Sequence, residues 1–464
     1  MTDNNQNIPN NKLKHPTDYK LEDLSLISSR LGSPLDLKRY MVELNYFEDL
    51  FNNTISGNIV MSDAVGVLNF GELSGTEFIN IKLSKSDDLP HKLERTLRIY
   101  GISNRRFDPS NNKEVYTLEF CSEEYLLSEQ YRLSKSYKGI NISTLVWDIC
   151  NSYLKIGTND KNSKTLSLDE TIGVNDFVLP NKKPIETINW LANFAVPKKY
   201  PNGADIIFFE NKSGFFFTSL QHLYQTKPIF KYAYNPKNVT NDALVNMTNV
   251  LTFQVVKYVD TLDAIHKGTL GNRILAVDPL RRTKNIKDFD YNAYYQNSAK
   301  LNGSPVINNY RNKQNKALYD PPPKDLEAGA YRVMISNTNQ QQGGSFTKNK
   351  PGSVQNDFQI EKVIPNRIAQ LGLATNNILK ITVPGNPALT IGTCIELRIA
   401  SSSPLSSKQS RPIDPYLSGK YLISAVRHIL TPASFITVLE ICKDSVLMNY
   451  SGVNNNDPSW KSIK

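Results

Sequence analysis

The sequence predicts a mainly β protein: two related β-barrel domains, a small α+β domain between them, and an irregular insertion. Three observations carry that prediction. Short runs rich in β-branched and aromatic residues, punctuated by Gly, Asn and Asp, fill Leu37–Cys121 and return after Asp357. Two amphipathic helix patterns and a strongly apolar hairpin lie between them. The hairpin that closes the first β region is then largely written again near the end of the chain.

Composition sets the outer bounds. A chain of 464 residues has room for two to four domains with real cores. Hydrophobic residues at 39% and charged residues at 21% fit a soluble globular protein rather than wholesale disorder. No apolar run approaches the roughly 20 residues that span a bilayer, so no membrane-spanning segment is expected. Residues 1–34 begin polar and Asn-rich, without the apolar core of a secretory signal, and read as a flexible arm. The formal charge of +10 is compatible with nucleic acid. No compact Lys/Arg stripe or recognised motif accompanies it, so the charge reads as a solvated surface suited to acidic protein partners. Nucleic acid is therefore not expected as a specific ligand. Cys121, Cys150, Cys394 and Cys442 form no CxxC and no Cys/His cluster, which argues for small buried hydrophobes and against zinc.

Residues 35–123 are expected to form the first barrel. "RYMVELNYF", "SGNIVMSDAVG", "TEFINIKLS", "LRIYGISNRRF" and "EVYTLEFCS" are five strand-like runs at the spacing of a small barrel or sandwich. The texture changes over 124–236. "NISTLVWDICNSYLKIG" puts Ile142, Leu145, Val146, Ile149 and Tyr153 on one helical face. "KKPIETINWLANFAV" starts a second helix at Pro184, and "ADIIFFENKSGFFFTSL" reads as a hairpin across Asn211–Gly214. Residues 237–290 and 358–448 make the second barrel. Its opening stretch, "LTFQVVKYVDTLDAIHKG" and "GNRILAVD", reads as two strands joined by a loop. The interruption, 291–357, is an Asn/Gln/Pro-rich insertion, and 449–464 a C-terminal tail.

The repeated hairpin is Leu417–Val446. Placing Tyr421 over Tyr100, without a gap, aligns Ile423 with Ile102, Arg427 with Arg106 and "LEIC" with "LEFC". This pairs a continuous β domain with an interrupted one. Three such chains around an axis would present six similar modules, able to meet a sixfold partner on one side and a threefold one on the other.

The five His form no HxxxH or HExxH pattern, and neither GxSxG nor GxxxxGK[ST] occurs. No catalytic residue, cofactor or metal site is assigned. A wall hydrolase built on paired carboxylates stays open, because two such acids can lie anywhere in a chain. A freestanding carbohydrate-binding β protein is the third possibility. The candidate interface residues are Arg106, Arg427, His428, Tyr294 and Tyr295. The arginines could grip acidic groups at hairpin tips or form internal ion pairs. His428 could titrate in a trigger or cap a strand. The two tyrosines sit in the basic, aromatic start of the insertion, a mixture suited to wrapping over a partner.

The same residues resemble a known family. "LSGKYLISAVRHILTPASFITVLEICKDSV", "KGTLGNRILAVDPLRRTKNIKDFDY" and "ITVPGNPALTIGTCIEL" look like segments of the baseplate central hub proteins of contractile-tailed bacteriophages, which are related to the hub part of type VI secretion spike proteins. The helix–helix–hairpin block fits that family's middle domain, so the resemblance covers most of Leu37–Val446 in order. It implies a virion protein of the tail baseplate, assembled in the host cytoplasm as a homotrimer. Its two barrel domains would form a pseudo-sixfold ring on the tail tube protein, and its other domains would hold the central spike protein. Baseplate wedge proteins and the tape measure protein are further implied partners. The insertion has no counterpart in the family pattern. The ending "PSWKSIK" carries no fused spike, so the spike would be a separate polypeptide.

Overall fold

The computed structural model describes residues 15–28, 32–68, 73, 75–85, 92–109, 112–158, 163–234, 246–278, 282–290, 294–295, 297–305, 330–335, 360–401 and 413–447. The first β region holds β1 (Lys20–Ile27), β2 (Leu35–Asp36), β3 (Met41–Asp49), β4 (Ser56–Asp63), β5 (Phe78–Ser84), β6 (Lys92–Asp108) and β7 (Lys113–Cys121). The middle region holds α1 (Glu123–Gln130), β8 (Ser136–Ile140), α2 (Ile142–Tyr153), β9 (Thr165–Leu168), β10 (Asn175–Val178), α3 (Pro184–Ala192), β11 (Ile206–Asn211), β12 (Gly214–Ser219) and α4 (Leu220–Gln225). Then come β13 (Pro228–Tyr234), β14 (Thr252–Tyr258), α5 (Thr261–Lys267), β15 (Gly271–Asp278), β16 (Thr283–Asp290), β17 (Ser304–Pro305), β18 (Ala330–Ile335) and α6 (Ile360–Ala374). The chain finishes its β structure with β19 (Asn377–Pro384), β20 (Cys394–Ile399), β21 (Gly419–Thr431), β22 (Ser434–Cys442) and β23 (Ser445–Val446).

The duplication is visible in the topology. In the first module β3 to β7 follow one another in the chain but lie in the sheet as β3-β4-β7-β6-β5. In the second, β14, β19, β20, β21 and β22 follow in chain order and lie as β14-β19-β22-β21-β20. Every neighbouring pair in both sets is antiparallel. Both modules therefore thread five strands the same way, and the second has its insertion between its first and second strands.

Neither module closes on itself among the described residues. Both belong to one 13-stranded sheet, joined where β21 pairs with β3. The expectation of two closed barrels is corrected here. Each module still has its own core. Leu44, Ile59, Ile81, Leu97 and Leu118 are buried in the first, and Leu379, Ile381, Ile395, Leu422 and Leu439 in the second. A fully buried Leu or Ile stabilises by roughly 1.5–3 kcal/mol, so either cluster outweighs any surface ion pair described below.

Two local expectations also change. The arm read over 1–34 is not wholly loose, because β1 pairs along the edge of β5 and buries Leu24 and Leu26. Alternation in "KLEDLSLI" is what makes that strand. The loop expected after β14 contains α5, which Asp260 caps by accepting from the Asp263 N–H and Gly268 ends in a left-handed conformation. Residues 449–464 lie outside the described residues, as does most of 291–357.

The middle region follows its sequence pattern. Ile142, Leu145, Val146 and Ile149 of α2 bury against α3 and the β11–β12 hairpin. Gly214 opens β12 at φ 145°, and a Cβ there would meet the Thr165 backbone. A buried ion cluster joins this region to the first module. Lys164 Nζ lies 2.6 Å from both Glu124 Oε2 and Glu210 Oε1. The other Glu210 oxygen accepts from the Ile55 N–H at 3.0 Å and from the Ser122 hydroxyl. Each charged group of the cluster has a partner of opposite sign, which is the condition for keeping such groups dry.

Candidate assembly interface

The internal seam shows how one module receives the next. The outer edge of β21, opposite β22, is shared by two strands. Gly419–Leu422 pair with β20, and beyond a bulge after Ile423, Ala425–Leu430 pair with β3. Leu430 and Phe435, at the tip of the β21–β22 hairpin, plug into the first module's core, and Leu430 is 0% exposed. Gly385 makes room, since a Cβ there would stand 2.1 Å from the Phe435 ring. The Phe435 N–H donates to the Thr17 carbonyl at 2.9 Å, so the segment before β1 caps the tip.

The first module reaches back. Glu48 of β3 is buried and accepts from the Ile391 N–H at 3.1 Å, the Thr390 hydroxyl and the Tyr46 hydroxyl. Burial holds its carboxyl above the usual range, against the pull of those donors. Arg427 donates from Nε to Asn45 Oδ1 at 2.9 Å, lies 3.6 Å from the Glu43 carboxylate and stands over the Phe47 ring. His428 is fully buried between Tyr46 and Phe435, with Nδ1 2.9 Å from the Thr437 hydroxyl. Desolvation pushes its pKa down to about 3, so the ring is neutral at neutral pH.

The matching edge of β6 is only half used. Lys92–Arg98 pair with β5, as Gly419–Leu422 pair with β20. Gly101–Asp108 pair with β7 on one side, and on the other no strand lies against them among the described residues. Tyr100 and Ile102 are exposed there, and Phe107 is 61% exposed. Arg106 is exposed, without an ion-pair partner among the described residues, while its neighbour Arg105 pairs with Glu114 at 2.6 Å. The sheet path ends on β14, whose outer edge is likewise unpaired among the described residues, with Val255, Val256 and Tyr258 exposed.

The hydrogen-bond register corrects the ungapped alignment. On the second strand the offset of 321 stands, because Glu119 faces the bulge at Tyr100 as Glu440 faces the bulge at Ser424. On the first strand the offset is three larger as far as Ser103, so that Ile99 corresponds to Ile423 and Ile102 to Val426, and two larger past the bulge that follows, where Phe107 corresponds to Leu430. Two residues of the difference lie in the longer turn after Asp108. The third is an extra bulge at Asn104–Arg105, where Asn104 takes φ 53°. Arg106 therefore corresponds to Ile429, and the repeat-matched arginine pair is a coincidence of counting.

The predicted contact residues divide accordingly. Arg106 sits on the open edge. Arg427 and His428 line the internal seam, where His428 has no surface left to offer. Tyr294 and Tyr295 are not laid out for wrapping. They pack on Ala369 and Leu373 of α6, and Gln221 and Gln370 lie within hydrogen-bond reach of the Tyr294 hydroxyl. Both rings are 7% exposed, buried within their own chain. The residues that define the edges are Phe107, Leu430, Phe435 and Phe253. For Phe107, Leu430 and Phe435 the signal is the tip position of aromatic and Leu residues in each long hairpin.

No family model matches the chain. A probable baseplate hub protein, gp334 of Vibrio phage KVP40, is 21% identical over 411 residues, covering 87% of this chain and 90% of that one. The chain is therefore similar, along most of its length, to a probable phage baseplate hub protein. Solved structures agree on the fold. A tail protein from Neisseria meningitidis MC58 matches with a TM-score of 0.53 and 11% identity, over 91% of this chain and 96% of that one. The 43 kDa tail protein of prophage MuSo2 from Shewanella oneidensis matches with a TM-score of 0.53 and 9% identity, over 91% and 99%. The sequence similarity is thus to a probable phage baseplate hub protein, and the β-rich fold is shared with the two tail proteins.

Proposed function

We propose that this hub relative works as a homotrimer in which six β modules form a ring, adapting a sixfold tail tube to a threefold central spike. Its role is structural and needs no catalytic residue. The observation that carries the reading is the duplicated five-strand topology within one chain. Two modules of one threading present nearly the same surface twice per protomer. Threefold symmetry then repeats it six times without requiring six chains. The middle regions differ from the modules and occur only three times, which suits a threefold partner. Wedge proteins fit the outer surface of such a ring.

The test is the mass of the purified full-length chain by light scattering and native mass spectrometry, at concentrations from nanomolar to tens of micromolar. The expected species has three times the 52.4 kDa chain mass. It should bind the ends of tail tubes assembled from the tube protein. A particle that stays monomeric throughout, or a trimer that ignores tube ends, overturns the reading.

A further inference from the structure

We infer that neighbouring copies join by strand addition, the open half of β6 in one copy pairing antiparallel with the outer edge of β14 in the next, with Phe107 opposite Phe253. This rests on the ring proposed above and specifies how it closes.

The argument is one of equivalence. Within the chain, β21 of the second module accepts β3 of the first. By threading, β6 is the counterpart of β21 and β14 the counterpart of β3. The chain thus contains one formed junction and both halves of a second, unformed one. Two halves of a junction that cannot meet within one chain can meet between copies.

Register follows from the ladders. Leu44 and Phe253 occupy the same place, because Leu44 faces Ile59 and through it Leu118, while Phe253 faces Ile381 and through it Leu439. Phe107 and Leu430 occupy the same place at the hairpin tips, facing Glu114 and Phe435. Leu430 pairs with Leu44 in the internal seam, so Phe107 falls on Phe253 in the other. The chemistry suits it. Phe253 already stacks edge-on against Tyr234 at 4.7 Å, and a third ring would extend that cluster. The contrast in burial points the same way: Leu430 is 0% exposed where its junction is formed, and Phe107 is 61% exposed where it is not. An unpaired edge carrying Tyr100, Ile102 and Phe107 is a template for another strand, and a second copy of this chain supplies one of the right length and character.

The test uses the full chain with Phe107→Cys and Phe253→Cys, singly and together. The four native cysteines are buried and their thiols are pushed up by desolvation, Cys121 to about 12, so they compete poorly for a thiol reagent. With a short bis-maleimide, the double variant should give a covalent trimer on a denaturing gel, and neither single variant should give any. Phe107→Asp should weaken self-association at least tenfold while leaving circular dichroism and thermal unfolding of the chain unchanged. A wild-type trimer whose double variant fails to cross-link, and whose Phe107→Asp variant still assembles, overturns this edge while leaving the ring intact. A wild-type chain that never assembles overturns the ring, and the edge with it.

Discussion

The internal seam and the open edge are the same junction in two states. At the seam, Leu430 and Phe435 are swallowed by the neighbouring core, Glu48 gathers donors from the facing loop, and Arg427 stands over the Phe47 ring. At the open edge the corresponding tip holds Phe107 in solvent and Arg106 without an ion-pair partner among the described residues. Sequence differences follow the same division. The seam tip is short and apolar, fit for permanent burial. The open tip has two more turn residues, an added bulge and two adjacent arginines, which keep an unpaired strand soluble until a partner covers it.

Perturbing the seam should hurt folding, and perturbing the edge should hurt only assembly. The largest effect is expected from acid. His428 has an ordinary pKa near 6.5 when unfolded and about 3 when folded, so the unfolded chain binds the extra proton between those values. Stability is then complete above pH 6.5 and lost as pH falls, by up to about 5 kcal/mol across the window. Urea titrations at stepped pH should show this slope, and His428→Leu should flatten it while lowering stability at pH 7. Next, Leu430→Ala should cost about 3 kcal/mol by chemical denaturation, the range for truncating a buried Leu, whereas Phe107→Ala should change monomer stability by less than about 0.5 kcal/mol. Smaller still, Arg427→Ala should cost about 1 kcal/mol through its Asn45 hydrogen bond and packing on Phe47, discounted because that side chain is 45% exposed. Arg106→Ala should leave the chain's melting unchanged within error and appear only in the salt dependence of assembly.

Much of this fold is legible in the sequence, and the failures have identifiable causes. The α2 and α3 faces, the Asn211–Gly214 turn and the second strand of the repeated hairpin follow from periodicity and from "LEFC" against "LEIC". The first strand does not, because an ungapped comparison sees neither the two extra turn residues after Asp108 nor the bulge at Asn104–Arg105, where Asn104 takes a left-handed conformation. Burial was equally hidden. His428 looks like a surface titrant in its own sequence, and only the approach of β3, some 380 positions earlier, removes it from water. Tyr294 and Tyr295 were assigned to an arm by the company of Asn and Pro around them, while their real partner, α6, lies beyond the whole insertion. The signal for β1 was present as alternation and was masked by the Asn-rich residues preceding it.

The cluster of Lys164 with Glu124 and Glu210 has a mechanical meaning. Contacts of this sort resist shear and twist because sliding would strip a dry charge of its counter-charge, at a cost of about 3–5 kcal/mol for each partner lost. Ser122 and Ile55 belong to the β wall, while Glu210 and Lys164 belong to the helical lobe. The lobe is therefore welded rather than hinged, and a push delivered to it must arrive at the wall as rigid-body displacement.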